Sequence, residues 1–349
     1  MDHSPRRRFL QQIALAAGAA ALPAASHAAQ HTSGLLLPPR LKAGDTLGLI
    51  SPSNATYRRE PLTVAIESLQ ALGFKVKEAP HLRSRYGQFG GTDTERVGDI
   101  NAMFADPEVH GILAMTGGSG ATRLLDRIDY AAIRRHPKVL MGFSDITALL
   151  NAIHQQTGLI TFHGPVAGSE WNTISVDSVR RVLMNAEAAT FRNPAELSGG
   201  LVQTQYRVQT LRGGKARGKL VGGNLTVLTT LMGTPMQPDF KGAVLFLEDI
   251  NEEIYRIDRM LAHLRLAGAF KSLAGVALGQ FTDCGPGEGG YGTLTLDEVF
   301  DEYFKDLGIP VYSGAMIGHI KPKFALPVGL PVEIDADAGT LAMLSPAVR

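Results

Sequence analysis

Short apolar segments alternate with amphipathic segments from about residue 45 onwards. The apolar segments predict strands at 46–51, 75–79, 111–115, 138–143 and 159–162. The amphipathic segments, in which apolar residues recur every three or four positions, predict helices at 62–72, 94–104, 121–128 and 145–155. Because parallel strands need crossover connections, these units predict a Rossmann-like or flavodoxin-like parallel sheet covered by helices. Such sheets bind ligands at the carboxyl ends of their strands.

The pattern loosens between residues 168 and 200. Glycine, asparagine and proline surround one predicted helix, 176–186, so we expect a linker here. After it, the pattern predicts strands at 202–211, 218–221, 243–247, 275–278, 332–334 and 341–344, and helices at 225–232, 253–266 and 296–304. We therefore expect an α/β protein with an N-terminal parallel-sheet domain at 45–167 and a C-terminal mixed α/β domain at 201–345.

The first 28 residues have the pattern of an export signal. Consecutive arginines from Arg6 precede an apolar, alanine-rich run at 13–22, and Ser26 and Ala28 supply a small-x-small cleavage site. The apolar run is about half of the roughly 20 residues that span a bilayer. The paired arginines indicate twin-arginine export, and no cysteine lies at the cleavage point to carry a lipid. We expect a periplasmic protein without a membrane anchor.

Composition narrows the possible functions. The 349 residues carry 34 basic and 33 acidic side chains, so no basic surplus favours binding to nucleic acid or an anionic membrane. The single cysteine, Cys284, excludes internal disulfides and multi-cysteine metal centres. The chain has no H-E-x-x-H motif and no histidine-carboxylate cluster at ligand spacing. We therefore expect a localised site without metal or cofactor.

The segment 138–147, KVLMGFSDIT, carries the strongest sign of chemistry. A strand that runs through a sharp turn into a helix raises Ser144 above the sheet edge. The helix start also supplies free backbone N–H groups, of which that of Asp145 could stabilise an oxyanion. Ile146 occupies the place of the second glycine in G-x-S-x-G. The alternative is that Ser144 merely caps the helix.

A second loop between a strand and a helix contains TGGSG at 116–120. Its serine, Ser119, could be a nucleophile, or the loop could bind phosphate. However, Arg123 replaces the last glycine of the dinucleotide motif, and no Walker lysine follows. Because both loops leave the same sheet edge, we expect this loop to lie beside Ser144 and to lend it backbone N–H groups. Glycines that only form a tight turn are the alternative.

A serine nucleophile needs a base, and the base needs a group that orients it. Two of the ten histidines are candidates for the base. His163 lies at a strand end, and His319 lies in a loop bounded by glycine and proline. Sequence chemistry does not decide between them. The uncharged strand 243–247 ends in Glu248 and Asp249. A carboxylate buried there needs a specific partner, which makes this position a candidate for the orienting acid.

Four separated motifs strengthen this hypothesis. They are GFSDITALL with HGP downstream, LVGGNLTVLTTLMGTP, LFLEDINEEIYRIDRML and GHIKPKFALPVG. Their order and approximate spacing resemble those of the LD-carboxypeptidases, the muramoyltetrapeptide carboxypeptidase family of serine peptidases. The resemblance implies that Ser144 is the nucleophile, Glu248 the acid and His319 the base. It also implies that the backbone N–H groups of Gly118 and Asp145 form the oxyanion hole.

The resemblance further implies the reaction. Such an enzyme hydrolyses the amide between an L-configured centre and the terminal D-alanine of murein tetrapeptides, in peptidoglycan turnover, at a site between its two domains. Relatives are often dimers, so a homodimer is one expected assembly. They often carry arginine and tyrosine where this chain has Thr116 and Ser119. The loss of an arginine that can bind a carboxylate bidentately would alter substrate recognition.

Two other functions remain open at this stage. The first is that of the microcin C immunity-type peptidases, which cleave a peptidyl-nucleotide amide. Trp171, the only tryptophan, follows HGP and could stack on a nucleobase, although a lone loop tryptophan is more often a packing residue. The second is a periplasmic solute-binding protein that closes on its ligand, in which Ser144 would be only a helix cap.

Overall fold

Two β-sheets, of six and eight strands, organise the computed structural model, which describes residues 34–195, 201–287 and 292–349. The predicted signal, 1–28, lies outside the described residues. The strands in those ranges are β1 (Thr46–Ile50), β2 (Lys75–Glu78), β3 (Gly111–Ala114), β4 (Val139–Gly142), β5 (Thr161–His163), β6 (Thr190–Arg192), β7 (Gln209–Arg212), β8 (Lys215–Asn224), β9 (Val244–Ile250), β10 (Gly275–Thr282), β11 (Val311–Ser313), β12 (Leu326–Val328), β13 (Pro331–Asp335) and β14 (Thr340–Met343).

Helices connect and cover these strands. Those of the described ranges are α1 (Arg59–Ala71), α2 (Asp93–Ala105), α3 (Tyr130–Arg135), α4 (Thr147–Thr157), α5 (Thr173–Val179), α6 (Leu225–Thr229), α7 (Ile254–Leu266) and α8 (Leu296–Phe304). Within the same ranges, no helix has the length and apolar character that a membrane span requires.

The first sheet confirms the predicted parallel architecture. Its strand order is β12-β5-β4-β3-β1-β2, and all neighbours are parallel except β12, which runs antiparallel to β5 at the edge. The strands β3, β4 and β5 are buried at every residue, as expected for parallel strands covered on both faces. A capping box begins α2, since the Thr92 hydroxyl accepts from the backbone N–H of Glu95 and the Glu95 carboxylate accepts from the backbone N–H of Thr92.

Local details of the first sheet differ from the predictions. The segment predicted as a helix at 121–128 is a 3-10 helix, Ala121–Arg127, and the helix predicted from 145 begins with a 3-10 turn, Ser144–Ile146. The prediction missed α3, whose start is capped by the Asp129 carboxylate, which accepts from the N–H of Ala132. Helices this short carry too few apolar repeats for their period to be recognised.

The second sheet is mixed and has the order β6-β14-β13-β8-β9-β10-β11-β7. Its central strands β8, β9, β10 and β11 are parallel, and the outer pairs are antiparallel. The prediction of a strand over 202–211 was wrong for most of its length, because only Gln209–Arg212 pairs. The predicted linker contains α5, a π-helical turn at Arg180–Met184 and the edge strand β6.

Helix α4 joins the two sheets. The Asn151 side chain donates to the carbonyl oxygen of Gly222 at 2.8 Å, and the Thr147 hydroxyl accepts from the N–H of Asn224 at 3.0 Å. These contacts hold the carboxyl end of β8 against the start of α4, and the described residues form one compact unit. The two sheets are in contact through this helix. The domain boundaries 45–167 and 201–345 therefore stay a prediction.

Candidate active site

Ser144 lies in a strained turn between β4 and α4. Its φ is 62°, a left-handed conformation that residues other than glycine rarely adopt. A Cβ atom at Gly142 would lie 2.9 Å from Cγ2 of Ile146, so the glycine makes room for the isoleucine that departs from the G-x-S-x-G motif. The side chain of Ser144 makes no capping hydrogen bond to this helix start. The turn has the form of a nucleophile elbow.

The glycine loop lies directly against this serine, as predicted. A Cβ atom at Gly117 would be 2.8 Å from Cβ of Ser144 and 3.0 Å from its Oγ. Asn54 holds the loop, because its Oδ1 accepts from the N–H of Ser119 at 3.1 Å and its own N–H donates to the Gly117 carbonyl at 3.2 Å. Gly118 has a φ of 121°, and a Cβ there would overlap the Asn54 side chain at 2.1 Å.

Asp145 fixes the position of the serine turn relative to the glycine loop. Its buried carboxylate accepts hydrogen bonds from Oγ of Ser53 at 2.5 Å and from the N–H of Ala121 at 2.8 Å. The backbone N–H groups of Asp145 and Gly118 have no partner within the described residues. Two free donors thus lie in the segments next to Ser144, where an oxyanion would need them.

Glu248 and His319 form a hydrogen-bonded pair. The carboxylate lies at the end of β9 and is fully buried, and its Oε2 is 2.7 Å from Nδ1 of His319. Gly318, which precedes the histidine, has a φ of 107°, and a Cβ there would lie 2.5 Å from the same carboxylate oxygen. Only glycine therefore lets the loop approach Glu248 this closely.

His163 faces the other oxygen of the same carboxylate. Its Nε2 is 3.8 Å from Oε1 of Glu248, and neither of these buried atoms has a hydrogen-bond partner in the described structure. A separation of 3.8 Å is too long for a hydrogen bond. The structure thus brings both candidate histidines to Glu248, but only His319 is within hydrogen-bonding distance of it.

The two acids at the end of β9 have different surroundings. Burial by itself would raise the pKa of Glu248, but the imidazoles of His163 and His319 outweigh it and lower the pKa to about 2. Burial raises the pKa of Asp249, whose carboxylate accepts from Nδ2 of Asn224 at 2.9 Å and from the hydroxyl of Thr226 at 2.8 Å. Asp249 therefore fixes the start of α6, and Glu248 is the acid available to a histidine.

The ring of Phe143 connects the serine turn to the histidine loop. Its centroid is 4.9 Å from that of His319, in an edge-to-face arrangement. The ammonium of Lys323 lies 3.9 Å from the same centroid. Ser144 follows Phe143 directly in the chain. Sequence reasoning missed Lys323 and Asn54, because nothing in their local sequence distinguishes them from surface polar residues.

Trp171 is a packing residue. Its ring is half-buried among apolar side chains that include Leu41, Leu72 and Leu183, and its Nε1 donates to the carbonyl of Ala167 at 3.1 Å. This position gives no support to stacking on a nucleobase. In the described ranges, no group of three or more His, Cys, Asp or Glu side chains could hold a metal ion.

An α/β fold that has a serine in a strained turn and a hydrogen-bonded acid-histidine pair is typical of hydrolases, and comparison with known families agrees. The model of the LD-carboxypeptidase N-terminal domain matches residues 47–164, and that of the C-terminal domain matches residues 217–334. The chain belongs to the LD-carboxypeptidase family, peptidase family S66, and is a carboxypeptidase. The two matched ranges fall within the predicted domains.

Individual relatives agree with this assignment. A probable murein peptide carboxypeptidase of Bacillus subtilis is 39% identical over 292 residues, which cover 84% of this chain and 89% of that protein. The solved muramoyltetrapeptide carboxypeptidase of Oxalobacter formigenes has a TM-score of 0.72 at 27% identity, covering 85% of this chain and 97% of that one. The structure of MccF in complex with glutamyl sulfamoyl guanosine has a TM-score of 0.81 at 27% identity, covering 90% and 100%.

Proposed function

We propose that the protein is a serine-type LD-carboxypeptidase that releases the terminal D-alanine from murein tetrapeptides. Ser144 is the nucleophile, His319 the general base and Glu248 the group that orients the base. The observation that carries the proposal is the 2.7 Å hydrogen bond between His319 and the buried Glu248, in a fold that also holds Ser144 in a strained turn. The family and the murein carboxypeptidases among its relatives support the substrate class.

In this mechanism, His319 takes the proton of the Ser144 hydroxyl as the oxygen attacks the scissile carbonyl. Glu248 accepts from Nδ1 of the imidazole, which fixes the tautomer with its free nitrogen available to the serine, and stabilises the imidazolium that forms. The tetrahedral intermediate collapses to an acyl-enzyme, and the imidazolium gives its proton to the departing amine of D-alanine. Water then attacks the ester with His319 as base, which regenerates the serine.

The oxyanion of both tetrahedral intermediates needs hydrogen-bond donors. The N–H groups of Gly118 and Asp145 are our candidates, because they are free and belong to the two segments that enclose Ser144. Each such donor contributes on the order of 3 kcal/mol to the stabilisation of the transition state. The hydrogen bonds between Asn54 and the glycine loop hold the segment of Gly118, and the bond that the Ala121 N–H donates to the Asp145 carboxylate holds the serine turn.

The test of the reaction compares D-alanine release from murein tetrapeptide by the wild type and by Ser144→Ala. We expect release only by the wild type, together with covalent labelling by a serine-directed fluorophosphonate that the variant does not show. Ser119→Ala, the exposed serine of the glycine loop, should keep the label. A wild-type protein that neither releases D-alanine nor takes up the label would exclude the proposal and favour a binding protein.

Amide cleavage of the microcin immunity type is the second candidate, because MccF shares the fold with a TM-score of 0.81. Its test is cleavage of an aminoacyl sulfamoyl adenylate by the same preparation. Faster turnover of this compound than of murein tetrapeptide would replace our assignment. The packing position of Trp171 leads us to expect the opposite preference.

We also propose that residues 1–28 export the enzyme to the periplasm, where murein peptides are found. Replacement of both arginines of the pair, Arg6 and Arg7, by lysine should retain the protein in the cytoplasm. Cell fractionation would measure this, and unchanged export of the double variant would contradict it.

A further inference from the structure

Lys323 is a buried lysine without a partner. Only 5% of its surface is exposed, and its ammonium has no hydrogen-bond or ion-pair partner among the described residues. Lys321, two positions earlier, is exposed and pairs with Glu170 at 3.0 Å. The ammonium nitrogen of Lys323 is not among the fully buried polar atoms that lack a hydrogen-bond partner, so the side chain is packed while its charge stays accessible to an anion of a ligand.

The ammonium of Lys323 lies beside the proposed catalytic residues. It stands over the ring of Phe143 at 3.9 Å from the centroid, and the same ring contacts His319. Phe143 is bonded directly to Ser144, and Lys323 follows His319 by four residues. Burial lowers the pKa of Lys323 to about 8, against the attraction of Glu248, so the side chain remains largely protonated at neutral pH.

Other cationic side chains near the glycine loop already have anionic partners. The loop at 116–120 carries no charged residue. Arg96 and Arg123 both bond to the carboxylate of Asp93, at 2.6 and 2.8 Å. Of Arg96, Arg123 and Lys323, only Lys323 is therefore available to bind an anion of the substrate.

The chemistry of a carboxypeptidase places an anion on this side of the site. His319, the proposed acid for the leaving amine, must lie on the leaving-group side of the scissile bond. The leaving group is a single amino acid, so only one Cα separates its amine from its carboxylate. Lys323 and His319 both contact the ring of Phe143, so the ammonium of Lys323 is within reach of that carboxylate.

We propose that the Lys323 ammonium binds the free C-terminal carboxylate of the substrate and thereby restricts the enzyme to removal of a terminal residue. This inference rests on the proposed function, and it assigns the specificity of the same site. It requires that a substrate whose C-terminus is an amide binds weakly, because the buried ammonium is then left without its anion.

The experiment measures binding separately from chemistry. Isothermal titration calorimetry measures the binding of two ligands, murein tetrapeptide as the free acid and as the C-terminal amide. Each ligand is titrated into the Ser144→Ala protein and into the Ser144→Ala, Lys323→Met double variant. We expect the acid to bind about 100-fold more tightly than the amide to the Ser144→Ala protein, the size of effect that loss of one partner of a buried charge pair produces. In the double variant this preference should fall to a few-fold. Lys321→Met, in the same background, is the matched control and should keep the preference.

Two results would overturn the inference. One is a preference for the acid that survives Lys323→Met. The other is an equal loss of acid and amide binding, which would mean that Lys323 only positions Phe143. Circular dichroism of the double variant checks its fold, and Lys323→Arg, which keeps the charge, should retain part of the preference. D-alanine release by the wild type tests the proposed function independently, so the two failures are distinguishable.

Discussion

Replacement of Lys323 by methionine should make the protein more stable while it weakens substrate binding. Methionine keeps most of the side-chain volume and removes the buried charge. Burial lowers the pKa of Lys323 from the ordinary value of 10.5 to about 8. Since one pKa unit corresponds to about 1.4 kcal/mol, the protonated side chain destabilises the folded protein by about 3 kcal/mol. Loss of the contact with the ring of Phe143 removes about 1 kcal/mol. The expected net gain is about 2 kcal/mol.

The gain should depend on pH. Below about pH 8 the lysine is protonated in both the folded and the unfolded chain, so its full cost is present. Between about pH 8 and 10.5 the folded protein releases this proton first, and the stability of the wild type rises. The advantage of Lys323→Met should therefore shrink by about 2 kcal/mol between pH 6.5 and pH 9.5.

Urea unfolding of the wild type and Lys323→Met at these two pH values would measure both effects. Lys321→Met is the control, since its exposed ion pair with Glu170 should change stability by less than about 1 kcal/mol. The reasoning is refuted if Lys323→Met is less stable than the wild type at pH 6.5, or if their difference is the same at both pH values.

Three further predictions concern the carboxylate. Glu248→Gln should lower kcat by about 10⁴-fold, because the amide would hold the imidazole of His319 in the wrong tautomer. Steady-state assays would measure this, and a loss below tenfold would exclude the orienting role of Glu248. Gly318→Ala, which places a Cβ 2.5 Å from Oε2 of Glu248, should lower both kcat and the urea midpoint; wild-type values of both would contradict the close approach. His163→Phe should raise the pKa of Glu248 from about 2, which carbon-13 NMR titration of the Glu248 carboxyl group in wild type and variant would measure. The same pKa in both proteins would show that His163 does not act on this carboxylate.

Local patterns were enough to predict most of the elements that carry the site. The strands β3 and β4 and the helix 296–304 were predicted correctly, since each is specified by its own apolar pattern. The strands β6, β11 and β12, of three residues each, were missed, whereas the equally short β5 was predicted because it belongs to the longer apolar run 159–162. The segment 202–211 has strand-forming residues, yet only its end finds a neighbouring strand.

The site was predictable to the extent that its chemistry is local. Ser144 and Glu248 stand at the ends of apolar strands, which can be recognised from the sequence. The choice between His163 and His319 depends on how distant segments meet, and sequence chemistry left it open until the family resemblance was considered. Lys323 could not be found, because nothing in the segment IKPKF distinguishes it from Lys321 as the lysine that becomes buried. Only the packing of the loop against Phe143 makes one of the two lysines buried.

The edge strand β12 has a consequence for the synthesis of the enzyme. It pairs Leu326 with His163, about half the chain away, and completes the sheet that holds Ser144. A growing chain that ends near residue 300 therefore has an open sheet edge and lacks the proposed base, His319. The wait for so distant a pairing slows folding. It also means that a chain that has not been extended past residue 319 lacks the full set of proposed catalytic residues.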